Sequence, residues 1–133
     1  MNPSIAGADG PILATAVDAS GNLYVGGDFA FIGGVAASHI ARWDGTNWSA
    51  LGSGLNSNVT ALAVSGTDVY TGGAFTNAGG VTAYHVAKWD GSAWRPVGSG
   101  MNSNVNALAF VGSDLFAAGD FTIADGATVN YVA

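Results

Sequence analysis

The feature that most constrains this chain is a long internal repeat with a spacing of 46 residues. The stretch HIARWDGTNWSALGSGLNSNVTAL begins at His39, and HVAKWDGSAWRPVGSGMNSNVNAL begins at His85. A period in this range is typical of solenoids and propellers, in which each copy is one supersecondary unit that buries its apolar face against its neighbours. The chain is therefore expected to be a stack of similar units rather than a domain without internal symmetry.

Three copies of this unit can be traced along the chain. They are marked by LYVGGDF at 23–29, VYTGGAF at 69–75 and LFAAGDF at 115–121. We expect one domain over 1–133, with copies over approximately 8–54, 55–100 and 101–133. The third copy does not contain the RWDGxxWxxLG segment of the other two, so we expect about two and three-quarter units, too few for a ring that needs about 4–8.

Each copy consists of short β-rich segments separated by turn residues. In the second copy these segments are VTALAVS, VYTGGAF, HVAKWD and AWRPVG, with Gly, Asn, Asp or Ser near each break and one looser loop, TNAGGVTAY. This pattern predicts four short antiparallel strands per copy. Four strands in about 45 residues form one blade of a β-propeller. The predicted fold is therefore all-β, built of propeller blades, with the last blade incomplete.

Small residues at fixed places predict where the copies pack closely. The two ALA runs, at 61–63 and 107–109, suit an inner strand, where neighbouring blades converge. Paired small residues before each Phe, such as Gly72-Gly73, suit a strand whose backbone is closely approached by a neighbour. The Phe residues that follow are expected to fill the wider space between copies, and they are Phe29, Phe75 and Phe121.

Composition supports an all-β fold and excludes several classes of protein. The chain has 21 Gly, nine acidic residues that are all Asp, and three Lys and Arg together, so good helix formers are scarce. Its net charge of −6 repels phosphate groups, so neither nucleic acid nor an anionic membrane is an expected partner. It has no Cys, which excludes disulfides, thiolate metal sites and a Cys nucleophile.

The N-terminal sequence MNPSIAGADGP has neither a basic segment nor a continuous apolar segment. No window of the chain reaches the ~18 apolar residues that a membrane span requires. We therefore expect no signal peptide in the chain as given and no membrane insertion.

The repeat has a recognisable consensus, GGxF…GG…IAxWDGxxWxxLGSGxNxxVxALAV. The residues that match it are Gly72, Gly73, Phe75, Gly79, Gly80, Val86, Ala87, Trp89, Asp90, Gly91, Trp94, Gly98, Gly100, Asn102, Val105, Ala107 and Leu108. This pattern resembles the repeats of bacterial secreted or surface β-propellers, similar to the fungal Rax2-like cortical proteins and to kelch-like propellers. The resemblance implies a propeller and an extracellular or cell-surface location. It carries no activity signature, so no enzymatic activity and no cofactor are expected.

The residues most suited to binding a ligand lie in the WDGxxW segments, and they are Trp43, Asp44, Trp48, Trp89, Asp90 and Trp94. An aromatic face beside a carboxylate could bind a sugar through its C–H groups and hydroxyls. The same pattern fits a hairpin in which Asp-Gly forms the turn and the Trp rings pack between blades. The turn preference of Asp-Gly favours this second interpretation.

No metal site and no catalytic site are predicted. His39 and His85 stand at equivalent positions, with Tyr131 in the third copy, and are expected to pack or form hydrogen bonds at a strand start. DASGN at 18–22 predicts an Asx turn rather than a calcium loop. The Asp residues are dispersed and no GxSxG motif is present, so neither a glycosidase pair nor a serine hydrolase is predicted.

Two functions are consistent with the sequence. The favoured one is a non-enzymatic scaffold or interaction module that completes its ring by forming a homo-oligomer or as part of a larger propeller. The alternative is a lectin-like module that binds glycans between blades. The expected partner is a second copy of the chain at the open edge of the third blade, where Asn2–Gly7 could add as a strand in trans; a glycan or another protein is the alternative partner.

Overall fold

The computed structural model describes residues 8–66, 68–97, 101, 103–111, 114–119, 123–124 and 127–128. All regular secondary structure in these residues is β, and no helix occurs among them. The strands form small antiparallel sheets. The prediction of an all-β fold is therefore confirmed.

The first copy contains one four-stranded sheet and one small hairpin. Its strands are β1 (Ile12–Val17), β2 (Leu23–Gly27), β3 (Phe31–Ile32), β4 (Val35–Ala36), β5 (Ile40–Trp43) and β6 (Trp48–Ala50). The sheet has the order β1-β2-β5-β6, and β3 pairs only with β4. Each pair of neighbouring strands in this sheet is antiparallel.

The second copy repeats this arrangement. Its strands are β7 (Val59–Ser65), β8 (Asp68–Gly73), β9 (Asn77–Ala78), β10 (Val81–Thr82), β11 (Val86–Trp89) and β12 (Trp94–Pro96). The sheet order is β7-β8-β11-β12, so the four predicted strands form one sheet. The predicted loop TNAGGVTAY instead contains the hairpin β9–β10, because Gly79 and Gly80, with φ of 58° and 85°, allow a two-residue turn.

The third copy continues the same order as far as the structure describes it. Its strands are β13 (Val105–Val111), β14 (Asp114–Gly119), β15 (Ile123–Ala124) and β16 (Ala127–Thr128), paired as β13–β14 and β15–β16. Phe121, Tyr131 and the Asn2–Gly7 segment lie outside the described residues.

The first strand of every copy carries the same irregularity in its pairing. The register shifts between Ile12 and Ala14 in β1, between Val59 and Ala61 in β7, and at the equivalent place in β13. A bulge of this kind re-aims the side chains that precede it. It lets Val59 and Leu62, three residues apart, face the same neighbouring strand.

The sheets of successive copies pack face to face, with β1 beside β7 and β7 beside β13. The largest apolar cluster joins the first two copies. It contains Tyr24, Ile40 and Leu51 from the first and Val59, Phe75 and Trp94 from the second. Phe75 lies in this cluster and fills the space between copies, as predicted. Phe29 is also buried, but it packs only among residues of the first copy, so its predicted place between copies is not observed.

Each of the two paired glycines allows a close contact, one with a backbone segment and the other with a side chain. A Cβ on Gly73 would overlap the carbonyl oxygen of Asn58, the residue just before β7 of the same copy. A Cβ on Gly72 would lie 2.6 Å from Cγ1 of Val105, which belongs to the next copy. The predicted close approach is confirmed, and the two glycines of a pair serve different contacts.

Candidate functional site

The candidate residues lie on the hairpin of the two outer strands in each complete sheet. Trp43 on β5 is opposite Trp48 on β6, and Trp89 on β11 is opposite Trp94 on β12. The ring centroids are 5.1 Å apart in the first pair and 5.3 Å in the second, with the ring planes tilted by 51° and 56°. The structure therefore brings each pair of Trp residues together, in nearly the same geometry twice.

The Asp of each hairpin forms the turn. Oδ1 of Asp44 accepts hydrogen bonds from the backbone N–H groups of Thr46, at 2.9 Å, and Asn47, at 2.8 Å. Asp90 accepts the equivalent bonds from Ser92 and Ala93 at 3.0 and 2.8 Å. The glycine after each Asp has a φ of 99°, which explains the preference for Asp-Gly. The turn interpretation of both Asp residues is confirmed.

These contacts stabilise the ionised form of both carboxyl groups. The hydrogen bond from Arg95, with its Nε 2.7 Å from Oδ2 of Asp90, is the main reason that the pKa of Asp90 lies far below its usual range. The N–H groups of the turn act in the same direction. The pKa of Asp44 is lowered mainly by the hydrogen bonds from Asn47 and Thr46. Both groups are therefore ionised anions near neutral pH and are not suited to act as general acids.

We expect the turn carboxylates to make the melting temperature depend on pH in the acid range. A carboxyl group whose pKa is lower in the folded state stabilises the fold above its unfolded pKa, about 3.9, and loses this contribution as pH falls through the folded value. The melting temperature should therefore fall below about pH 4. Asp90→Asn should lower the melting temperature at pH 7 and reduce its drop at acid pH, both measured by circular dichroism.

Asp28→Asn is the control, because the carboxylate of exposed Asp28 makes no hydrogen bond to another described residue. It should lower the melting temperature at pH 7 less than Asp90→Asn does. An unchanged profile in Asp90→Asn would contradict the role assigned to that carboxylate.

Trp94 attaches the β11–β12 hairpin of the second copy to the first copy. It is 5% exposed, and its Nε1–H donates a hydrogen bond of 2.8 Å to the carbonyl oxygen of Leu51. The ring of Trp89 lies beside Gly52, the next residue of that segment. Trp94 therefore packs between two copies, as the structural interpretation predicts.

The other three Trp residues are half-buried. Trp48 packs against the apolar cluster of the first copy and covers Gly33, where a Cβ would be 2.5 Å from its Cδ1. Trp43 and Trp89 each leave part of the ring at the surface, and Asp44 beside Trp43 is exposed. Any aromatic contact with a ligand would therefore involve Trp43, Trp48 or Trp89 rather than Trp94.

A small cleft lies between the two complete sheets. It is lined by Arg42, Ala50, Leu51, Trp89 and Gly91 and has a volume of about 80 Å³. Small-molecule sites usually have volumes of about 300–1,000 Å³. The cleft suits a water molecule or one small polar group. Sequence reasoning did not find Arg42, because a single cation before Trp43 carries no signal of a cleft that forms between copies.

His39 and His85 lie at the end of each complete sheet where the second strand finishes with its glycine pair. Nδ1 of His39 is 3.2 Å from the carbonyl oxygen of Gly27, and Nδ1 of His85 is 3.2 Å from that of Gly73. Both histidines have a left-handed backbone, with φ of 70° and 68°. The predicted hydrogen-bonding role at a strand start is therefore confirmed. Among the described residues, no group of three or more His, Cys, Asp or Glu could hold a metal ion.

The DASGN segment forms the predicted Asx turn. Oδ1 of Asp18 accepts hydrogen bonds from the N–H groups of Ser20 and Asn22, both at 2.9 Å. Its Oδ2 accepts a bond from the side-chain amide of Asn22 at 3.0 Å and from the hydroxyl of Tyr24 at 3.2 Å. The carboxylate therefore stabilises the turn between β1 and β2.

Within the described part of the chain, no helix has the length and apolar character needed to cross a membrane. No protein-family model matches the chain, and comparison with curated proteins gives no match.

Proposed function

We propose that this chain is a non-enzymatic scaffold or interaction module of the β-propeller type, which completes its ring by self-association or as part of a larger propeller. The observation that carries this proposal is the stacking of successive sheets with their first strands, β1, β7 and β13, side by side. In a propeller the first strands of the blades line the central axis in this way. The two complete sheets would be blades, and β13–β14 the inner half of a third.

The contacts between copies also support a scaffold. Trp94 bonds the carbonyl oxygen of Leu51 across one junction. The hydroxyl of Thr60 donates to the carbonyl oxygen of Val105 across the next, where Gly72 allows the close approach. The motif residues thus connect one unit to the next, which is the role expected of a repeat protein whose stability is shared between units and interfaces.

Self-association can be tested by the solution mass of the full chain. One chain has a mass of 13.2 kDa, so light scattering during size-exclusion chromatography should report at least twice that mass at micromolar concentration. A compact, stable monomer would contradict self-association. Completion of the third blade by the strand Asn2–Gly7 stays a prediction, because those residues lie outside the described part of the chain.

A lectin-like module is the second candidate, and the half-buried rings of Trp43 and Trp48 beside exposed Asp44 favour it. Calorimetric titration with neutral oligosaccharides should then give saturable binding that Trp43→Ala abolishes without unfolding the chain. Binding that persists in Trp43→Ala, or no binding at all, would contradict it. An extracellular or cell-surface location is likewise proposed, and it rests on the resemblance to secreted propeller repeats.

A further inference from the structure

The chain builds the same interface between sheets twice. At the first junction Gly26 of β2 faces Val59 and Leu62 of β7. At the second, Gly72 of β8 faces Val105 and Leu108 of β13 in the same manner, with 2.6 Å between the ideal Cβ of Gly72 and Cγ1 of Val105. One side of each interface therefore comes from the second strand of a copy, and the other side comes from the first strand of the next copy.

An aromatic contact lies next to the glycine in both interfaces. At the second junction, Tyr70 of β8 meets Phe110 of β13 edge to face, with ring centroids 5.2 Å apart. At the first, Tyr24 of β2 is buried in the cluster that Val64 of β7 packs against. At both junctions, an aromatic ring on the second strand of one copy therefore shares a contact or an apolar cluster with a residue near the end of the next copy's first strand.

Both halves of this interface recur on the outer faces of the stack without a described neighbour. On the third copy, Phe116, the equivalent of Tyr70, is 43% exposed. Ala107 and Ala109 beside it are exposed, whereas their equivalents Ala61 and Ala63 are buried. On the first copy the residue equivalent to Val64 and Phe110 is Val17 of β1, which is 62% exposed.

We propose that these two faces bind each other between two copies of this chain, so that Val17 of one copy packs on Phe116 of the next, head to tail. This inference rests on the self-association proposed above and names its surface. A second chain fits as the partner because each face is half of an interface that the chain already forms twice. The contacting side chains are uncharged, which matters because each chain carries a net charge of −6 and two chains repel each other.

Three positions near the glycine differ from the internal interfaces. Ile12 stands where Val59 and Val105 stand. Ala118 stands where Gly26 and Gly72 stand, so the third copy presents an extra methyl group. Thr15 stands where the two Leu residues near those glycines stand. The shorter Thr side chain removes the farther of the two groups that this methyl would press against, but the nearer group, a Val at the internal interfaces, is replaced by the longer Ile12. The two strands must therefore lie farther apart than at the internal interfaces. The intermolecular contact should therefore be slightly looser than the internal ones, and reversible.

The test uses the full chain and two single variants, Val17→Asp and Phe116→Asp, studied by sedimentation velocity. Each variant places a charge in one half of the interface, so each alone should dissociate to monomer at a concentration at which the wild type is oligomeric. Because the two halves differ, an equal mixture should form a one-to-one complex through the intact Phe116 of one variant and the intact Val17 of the other. Phe31→Asp and Val81→Asp are matched controls, since both residues are exposed but lie on the small hairpins. They should keep the wild-type mass.

The other outcomes overturn the inference in distinguishable ways. A wild-type oligomer that both variants leave intact would reject this surface and leave self-association standing. Loss of the oligomer in only one variant would indicate a contact between identical faces. A monomeric wild type would reject both this inference and the self-association on which it rests. Circular dichroism of every variant should show the wild-type spectrum, because the substituted side chains are exposed.

Discussion

Trp94→Ala is expected to lower the free energy of unfolding by about 3–5 kcal/mol, the usual cost of truncating a large buried aromatic side chain. The ring fills the junction between the first two copies, and its N–H is bonded to the carbonyl oxygen of Leu51. The substitution removes the apolar contacts and also leaves a buried carbonyl without its donor. Urea unfolding followed by circular dichroism gives the change directly.

Trp43→Ala is the matched control, because Trp43 belongs to the equivalent pair in the first copy but is only half-buried. It should cost clearly less than Trp94→Ala. Equal losses for the two variants would contradict the anchoring role of Trp94 at the junction.

Gly73→Val is expected to abolish folding of the chain. Any Cβ at this position would overlap the carbonyl oxygen of Asn58. That oxygen accepts a hydrogen bond from the backbone N–H of Ala74, so it cannot move aside at small cost. The branched side chain of Val adds two further groups in the same space. Soluble yield and the circular dichroism spectrum are the measurements, and we expect little soluble protein and loss of the β-sheet signal.

Gly66→Ala separates this effect from the general cost of replacing a glycine. Gly66 has a φ of 62° and open space around its Cβ position, so Ala there should cost about 1–2 kcal/mol for the left-handed backbone and still fold. If Gly73→Val were as well folded as Gly66→Ala, the close approach of β8 and the segment before β7 would be wrong.

The sequence was sufficient to predict the local structure of each copy. Asp-Gly at Asp44 and Asp90 predicted the hairpin turns, and DASGN predicted the Asx turn, because these structures depend on hydrogen bonds between residues a few positions apart. The alternation of short β-rich segments and turn residues likewise predicted four strands, since consecutive strands joined by short turns must pair antiparallel. The period then predicted that similar sheets would pack in series.

The structure of the TNAGGVTAY segment depends on tertiary contacts and was not predicted from the sequence. The sequence predicted a loose loop because four strands already account for a blade, but the structure forms β9 and β10 there. The hairpin is only two residues long on each side, and it is supported by tertiary contacts: the N–H of Gly79 donates to the carbonyl oxygen of Gly54, and Trp94 covers Gly79. Isolated hairpins of this size are not stable in water.

What the sequence by itself determined is the repeating unit, the four strands of its sheet, their turns and the glycine pairs that allow close approach. Only the tertiary structure decided which equivalent residues are buried: Trp94 but not Trp48, and Ala61 but not Ala107. The members of each pair are identical in type and local conformation, so no local rule distinguishes them. Burial depends on whether another sheet packs over the side chain, and the free energy of that packing comes from contacts between residues about one repeat apart.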